Sequence, residues 1–326
     1  MSLPISRRTF LETIAQVSMS AGLVACSRQR SNAIVLAFVP KALSNPVFEI
    51  TRHGAEDRIA ELGGGIEFRW IGPATADAAA QAQIIDDLVV QRVSGICLSC
   101  NDPNALLPAI DRAVDAGIPV ITWDADSPKS KRLTNVSIDQ AAAGARAAEL
   151  LVQRAPKGKL AILTGSPSAL NLQQRLEGFM SVIRRYPDIT VIASDPCNDD
   201  VQRAVEIVEQ RINATPDLVS YFFVGMWPFF ADLRTMPNLK KLVDGGGTIV
   251  SLDALEGALN AVEQGYATAL VGYSWWGFGR TAVDVLLDRI KRNVRPPALA
   301  AADLFVVDKT NIAEYLRKQK ETQGRF

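Results

Sequence analysis

The chain has 326 residues, 48% hydrophobic and 21% charged, enough to bury a large core and long enough for about two domains. Lys+Arg and Asp+Glu both total 35, which removes the basic excess that nucleic acid requires and leaves no block of like charge that would read as a disordered tail. A single histidine and four cysteines leave no Ser-His-Asp or Cys-His constellation, no metal cluster and no disulfide framework, so hydrolytic and metal chemistry lose their support and neither a cofactor nor catalysis is expected.

The N-terminus reads first. Thr9 to Ala25 is apolar only in patches, interrupted by Glu12, Thr13, Gln16, Ser18 and Ser20, and is shorter than the ~20 apolar residues of a spanning helix. Arg7-Arg8, a weakly apolar run and small residues before Cys26 follow the layout of an export signal. Ser6-Arg7-Arg8-Thr9-Phe10-Leu11 resembles the twin-arginine consensus, with Glu12 where Lys is common, and Leu23-Val24-Ala25-Cys26 resembles a bacterial lipobox. That resemblance implies an export signal over 1–25, lipidation at Cys26, a tether over 26–31, and a mature protein lipid-anchored on the outer face of the cell membrane.

Apolar runs and amphipathic helices then alternate. "NAIVLAFVP" is a strand, "NPVFEITRHGAEDRIAELG" a helix stopped by Gly63, Gly64 and Gly65, "IEFRWIG" a strand, "DAAAQAQIIDDLVVQR" a helix, "VSGICLS" a strand, "PNALLPAIDRAVDAG" a helix and "IPVITWD" a strand. After Asn135 the logic repeats: "DQAAAGARAAELLVQR" helix, "KLAILTG" strand, "NLQQRLEGFMSVIRRY" helix, "ITVIAS" strand, "DVQRAVEIVEQRINA" helix, "LVSYFFVG" strand, "FFADLRTM" helix, "TIVSLD" strand and "ALEGALNAVEQG" helix. "WWGFGRTAVDVLLDRIKR" supplies a long helix, and the chain ends in "NIAEYLRKQK". Strands without period-two alternation, each followed by a helix, predict an α/β fold of two doubly wound parallel-sheet lobes.

Ligands of such sheets bind beyond the carboxyl ends of the strands. Asn45 and Phe48 follow the first strand, Asp102 the third, Asp124 the fourth, Asp253 the strand "TIVSL" and Tyr273 the strand "ATALVG". Asp in such loops is also ordinary turn and capping chemistry. The C-x-x-C of Cys97 and Cys100 ends an apolar strand with no second pair, and reads as small buried thiols; a disulfide among Cys97, Cys100 and Cys197 stays open. His53, on a helical face beside Arg52 and Glu56, reads as a solvated histidine or one that supports a neighbouring side chain, not as a catalytic one.

"NPVF", "IIDDLVVQRVSGI", "AIDRAVDAGIPVITWDAD", "SIDQAAAGARAA", "NLQQRLEGF" and "IVSLDALEGALNAVEQG", in that order, resemble the type I periplasmic binding proteins, in particular the ribose/galactose-type sugar-binding group of ABC importers. The resemblance spans about residues 31 to 310; the repressors that share the fold carry a helix-turn-helix where this chain has an export signal. It implies a three-crossing hinge near Val136–Asp139, Gly272–Ser274 and Phe305–Val307, an N-terminal lobe of 32–137 plus 274–304 and a C-terminal lobe of 138–273 plus 305–326. It implies a periplasmic or extracellular monomer that closes over a sugar or polyol and delivers it to an ABC permease. The implied ligand-binding residues are Asn45, Phe48, Asp102, Asp124, Asn171, Arg175, Trp227, Asp253 and Tyr273, with Trp123 and Trp275 as further aromatic candidates. Departures at Ala125, Met226-Trp227-Pro228 and Tyr273 predict a pocket less charged and more aromatic than the ribose type. A sensory binder that presents its solute to a membrane receptor or kinase, a binder of an aromatic or heterocyclic solute, and an exported enzyme are the alternatives; the last has the least support.

Overall fold

The structure is a computed structural model that describes residues 33–325. The signal, the lipobox, Cys26 and the tether lie outside the described residues. The first sheet contains β1 (Ile34–Val39), β2 (Ile66–Trp70), β3 (Gly95–Leu98), β4 (Val120–Trp123), β5 (Asn135–Ser137) and β11 (Leu299–Ala301), in the order β11-β5-β4-β3-β1-β2. The second contains β6 (Gly158–Thr164), β7 (Ile189–Pro196), β8 (Leu218–Phe223), β9 (Thr248–Leu252), β10 (Ala269–Gly272) and β12 (Phe305–Asp308), in the order β12-β10-β9-β8-β6-β7. Pairings within both sheets are parallel, as between β1 and β3 or β8 and β9, whereas β12 runs antiparallel to β10. The central strands bury both faces: Leu36 through Val39 and Tyr221 through Phe223 have no exposed surface. That is why their sequences run apolar without alternating.

Ten helices among the described residues connect the strands: α1 (Val47–Glu61), α2 (Ala78–Val90), α3 (Leu107–Asp115), α4 (Gln140–Arg154), α5 (Leu170–Ile183), α6 (Val201–Ala214), α7 (Pro237–Asp244), α8 (Glu256–Glu263), α9 (Trp275–Arg292) and α10 (Ile312–Thr322). Several start on a side-chain cap that satisfies an orphan amide: Asp77 accepts from Ala80, Asp139 from Ala142, Asp200 from Arg203 and Ser274 from Gly277.

The chain passes from one sheet to the other three times, at 138–139 between β5 and α4, at 273–274 between β10 and α9, and at 302–304 between β11 and β12. The third passage lies just ahead of Phe305–Val307, whose residues already pair with β10. The two lobes are therefore interlaced, because α9 and β11 return to the first sheet after β10 has been laid in the second.

Each lobe contains one very close helix crossing. A Cβ on Gly54 of α1 would stand 2.0 Å from the Trp276 carbonyl oxygen of α9, and one on Gly279 2.0 Å from that of Thr51. In the other lobe a Cβ on Gly144 of α4 would stand 1.8 Å from the Arg175 carbonyl oxygen of α5, and one on Gly178 1.9 Å from that of Ala141. Glycine lets these backbones touch, and so sets where Trp275 and Arg175 sit.

One helix expected from periodicity is absent. "FFADLRTM" forms parts of two 3-10 turns, Trp227–Phe230 and Leu233–Thr235, and the α-helix begins only at Pro237. Pro228 and Pro237 each remove an amide donor, and the Asp232 side chain bonds the Arg234 amide, which ends one turn and starts the next.

Candidate functional site

Two aspartates organise the cleft. Asp124 follows β4 and Asp253 follows β9, and both adopt left-handed backbone, with φ of 56° and 72°. Each amide bonds a carbonyl of the neighbouring strand, Asp124 N to Val136 O at 3.1 Å and Asp253 N to Val271 O at 3.0 Å. The same device thus ends an inner strand in each sheet. Left-handed backbone is costly for residues with a Cβ, and Asp is among the few that tolerate it. Retaining it twice, at the carboxyl ends of strands, is a mark of a site.

Arg175 of α5 reaches between them and is only 2% exposed. Its Nε donates to Gln140 Oε1 at 2.7 Å, Nη1 to the Val224 carbonyl at 3.1 Å, and Nη2 to Tyr273 Oη at 2.7 Å and Asp124 Oδ1 at 3.4 Å. Tyr273 in turn donates to Asp253 Oδ1, which also accepts from Trp275 Nε1 at 3.1 Å. Asn171 Nδ2 donates to Asp124 Oδ1 at 2.9 Å, and Lys41 Nζ donates to Asn171 Oδ1 at 3.0 Å while lying 3.6 Å from Asp124 Oδ2. Every charged group here has a partner of opposite sign or a fitted hydrogen bond, the condition for burying it.

Burial pushes the Asp253 carboxyl above its usual range, offset in part by Arg175 and by the Tyr273 hydrogen bond. Burial likewise holds the Tyr273 phenol neutral. For Arg175 desolvation opposes the charge, but Tyr273, Asp253 and Asp124 outweigh it and the guanidinium stays a cation. Asp199 is raised by burial, with Lys41, the Ser166 amide and the Trp227 indole pulling the other way.

These groups enclose a small cavity, ≈ 30 Å³, lined on its polar side by Lys41, Asn45, Asp124, Asn171, Arg175, Asp199 and Asp253 and on its apolar side by rings of Phe48, Trp227, Phe230 and Trp275. That volume holds one or two waters, whereas a small-molecule pocket is typically hundreds of Å³. A solute the size of a monosaccharide does not fit in that volume. A larger hollow of ≈ 420 Å³ between α6 and α7 gathers no comparable set of charges.

Of the residues singled out from sequence, Asn45, Phe48, Asp124, Asn171, Arg175, Trp227 and Asp253 line the cavity. Asn45 also accepts from the Val47 amide at the start of α1. Tyr273 stands behind the wall, bridging Arg175 and Asp253. Asp102 stands apart: its carboxylate accepts from the Asn104 and Ala105 amides at 2.8 Å, the turn chemistry that loop aspartates usually supply. Trp123 is fully buried, edge-on to Phe48 at 5.3 Å and to Trp275 at 6.3 Å, and supports the aromatic wall from beneath.

Lys41 and Asp199 also line the cavity, which is more charged than the sequence suggested. Lys41 comes two residues after β1, and that position was the available signal; "CNDD" looks like any polar turn, and only the fold brings Asp199 to the cleft. Among the described residues no three His, Cys, Asp or Glu side chains form a metal cluster. His53 is exposed on α1. Cys97, Cys100 and Cys197 are free and buried, and burial raises their thiols, Cys197 to about 12.

Comparison with known proteins agrees with this architecture. The chain is 26% identical over 246 residues to the xylose/arabinose-binding protein XylF of Sulfolobus acidocaldarius, covering 71% of this chain but 60% of that protein. It is 24% identical to the D-allose-binding periplasmic protein of Escherichia coli, over 83% of this chain and 89% of the relative. Against the ribose import binding protein RbsB of Salmonella typhimurium it is 23% identical, over 91% and 97%. Among solved structures, an ABC transporter solute-binding protein from Burkholderia graminis in complex with D-arabinose superposes with a TM-score of 0.78 at 29% identity, covering 87% of this chain and 98% of that one. Residues 36–293 match the periplasmic binding protein domain throughout. With two interlaced parallel-sheet lobes and a polar cleft at the strand ends, the chain belongs to the periplasmic binding protein domain family.

Proposed function

We propose that the protein is an extracytoplasmic solute-binding protein that captures a sugar or sugar-like polyol between its lobes and delivers it to an ABC importer. The observation that carries this reading is the meeting of Asp124, Asn171, Arg175 and Asp253 with the rings of Phe48, Trp227 and Trp275 around one cavity. A sugar offers hydroxyls that both donate and accept, plus a weakly apolar C–H face. Carboxylates and an amide paired with rings meet both demands. Lys41 and Asp124 project from the first lobe and Asn171 and Arg175 from the second, so a ligand that bonds all four ties the lobes together. Binding energy is thereby converted into closure, and a permease that engages only the closed form receives only loaded protein.

The relatives named for ribose, allose, arabinose and xylose set the panel. Calorimetry with D-ribose, D-allose, D-arabinose, D-xylose and xylitol should give one-to-one binding heat with at least one of them, a raised melting temperature, and ligand recovered unchanged. Absence of heat with all five, or conversion of a sugar to product, would overturn the reading.

The twin-arginine and lipobox residues extend it to an exported protein anchored through Cys26, delivering to a permease in the same membrane. No helix among the described residues is long and apolar enough to cross a membrane. The Cys26→Ser protein, expressed in a bacterial host that processes lipoproteins, should move from the membrane fraction to the soluble exported fraction. Retention in the membrane would count against lipidation at that cysteine.

A further inference from the structure

The first passage between the lobes is spanned by a hydrogen-bonded grip that no part of the cavity wall explains. Ser137 is the last residue of β5 and Gln140 the first of α4, so the two flank the 138–139 passage. Both are buried and neither lines the cavity. Ser137 Oγ donates to the Asp124 carbonyl at 3.0 Å and accepts from Gln140 Nε2 at 2.8 Å, and that same Nε2 also reaches the Asp124 carbonyl at 3.3 Å. The other end of the amide, Oε1, accepts from Arg175 Nε at 2.7 Å.

We propose that Gln140, with Ser137, is a positioning residue that couples the first hinge passage to the ligand site by holding the Asp124 backbone and the Arg175 guanidinium in one arrangement. This rests on the solute-binding reading above. The chemistry of the amide suits the task, since one end only donates and the other only accepts. Its donor end meets the carbonyl of the left-handed Asp124, where the backbone most needs external support, and its acceptor end takes Arg175 Nε, while Nη1 is held by the Val224 carbonyl and only Nη2 meets Asp124 and Tyr273. With Nε fixed, the planar guanidinium can turn no further, and Nη2 is left aimed at Asp124 and Tyr273. Gln140 begins a helix of the second lobe while Asp124 and Ser137 belong to the first. Its bonds to them therefore lengthen when the lobes part, and the aim of Arg175 and the backbone of Asp124 become functions of the hinge.

The test uses Gln140→Glu and Ser137→Ala. Glu keeps the length and the acceptor for Arg175 but cannot donate to the Asp124 carbonyl; Ala at 137 removes a donor to that carbonyl and leaves Arg175 untouched. Stopped-flow tryptophan fluorescence with the tightest-binding member of the five-compound panel reads association and dissociation separately. Both variants should keep the melting temperature of the unliganded protein within a few degrees and release the ligand about tenfold faster, a loss of ~1.4 kcal/mol. A purely structural role would lower the unliganded melting temperature and leave the dissociation rate unchanged. Should Glu prevent folding, Ser137→Ala alone decides. Wild-type binding with variant dissociation rates within twofold of it overturns this inference alone; failure of the wild-type protein to bind any of the five removes the sugar reading and this inference with it.

Discussion

Asp253 is held where its charge is costly. Burial raises its pKa in the folded state above the ~3.9 of an unfolded chain, so the native protein binds that proton more tightly than the unfolded chain does. The ionised carboxylate therefore weakens the fold at pH above the folded pKa, and the cost fades as pH falls through that value towards the unfolded one. Asp253→Asn should melt no lower than the wild type at pH 7 without ligand, the difference should shrink towards pH 4, and the ligand-induced rise in melting temperature should disappear. A variant clearly less stable at pH 7 would show that Asp253 serves the core. Asp124 and Asp253 were legible in the sequence because each follows a largely apolar strand, VITW and TIVSL. Asp102 had the same appearance, yet its carboxylate is spent on two local amides. Lys41 was missed because a lysine just past a strand reads as solvated, and nothing local announces that Asn171, 130 positions on, will cover it.

At the scale of elements, the helix crossings at Gly54–Gly279 and Gly144–Gly178 fix the site more than any single side chain does. The Arg175 carbonyl rests on Gly144, so a methyl group there has no room. Gly144→Ala should cost about 1–3 kcal/mol, the range of an overpacked core, and should weaken ligand binding as well because α5 carries both Asn171 and Arg175. Chemical denaturation measures the first and calorimetry the second; a stability loss with unchanged affinity would show that α5 absorbs the shift away from the site. Most strands and most helices were readable from period and caps, and α9 matched its expected span, Trp275–Arg292, whereas the short strands β5, β11 and β12 were not assigned from the sequence. The segment after β8 was not, because Phe229, Phe230, Leu233 and Met236 fall at helical spacing while Pro228 and Pro237 deny the amides a helix needs.

For the whole molecule, interlacing matters most. The first sheet is completed by β11, its helical face by α9, and the second sheet by β12 at its edge. Neither sheet is complete without the last 50 or so residues, whose contacts are of long sequence separation and carry a loop-closure cost. A chain ending at Gly272 retains most of both sheets but exposes the face of α1 that α9 covers, where Phe48, Thr51 and Ala55 lie buried. It should show little cooperative unfolding by circular dichroism. A sharp transition with near-native helicity would mean that the lobes do not depend on the return of the chain.

The buried thiols give these lobes an unplanned use. Cys97 and Cys100 lie in the first lobe and Cys197 in the second, all three free and all with thiols raised far from the reactive thiolate. No cross-link has to form among them for the described fold to be complete. Each thiol meets an alkylating reagent only when its own lobe opens, so the rate of labelling at Cys97 and Cys100 times one lobe and that at Cys197 the other, within a single unmodified molecule.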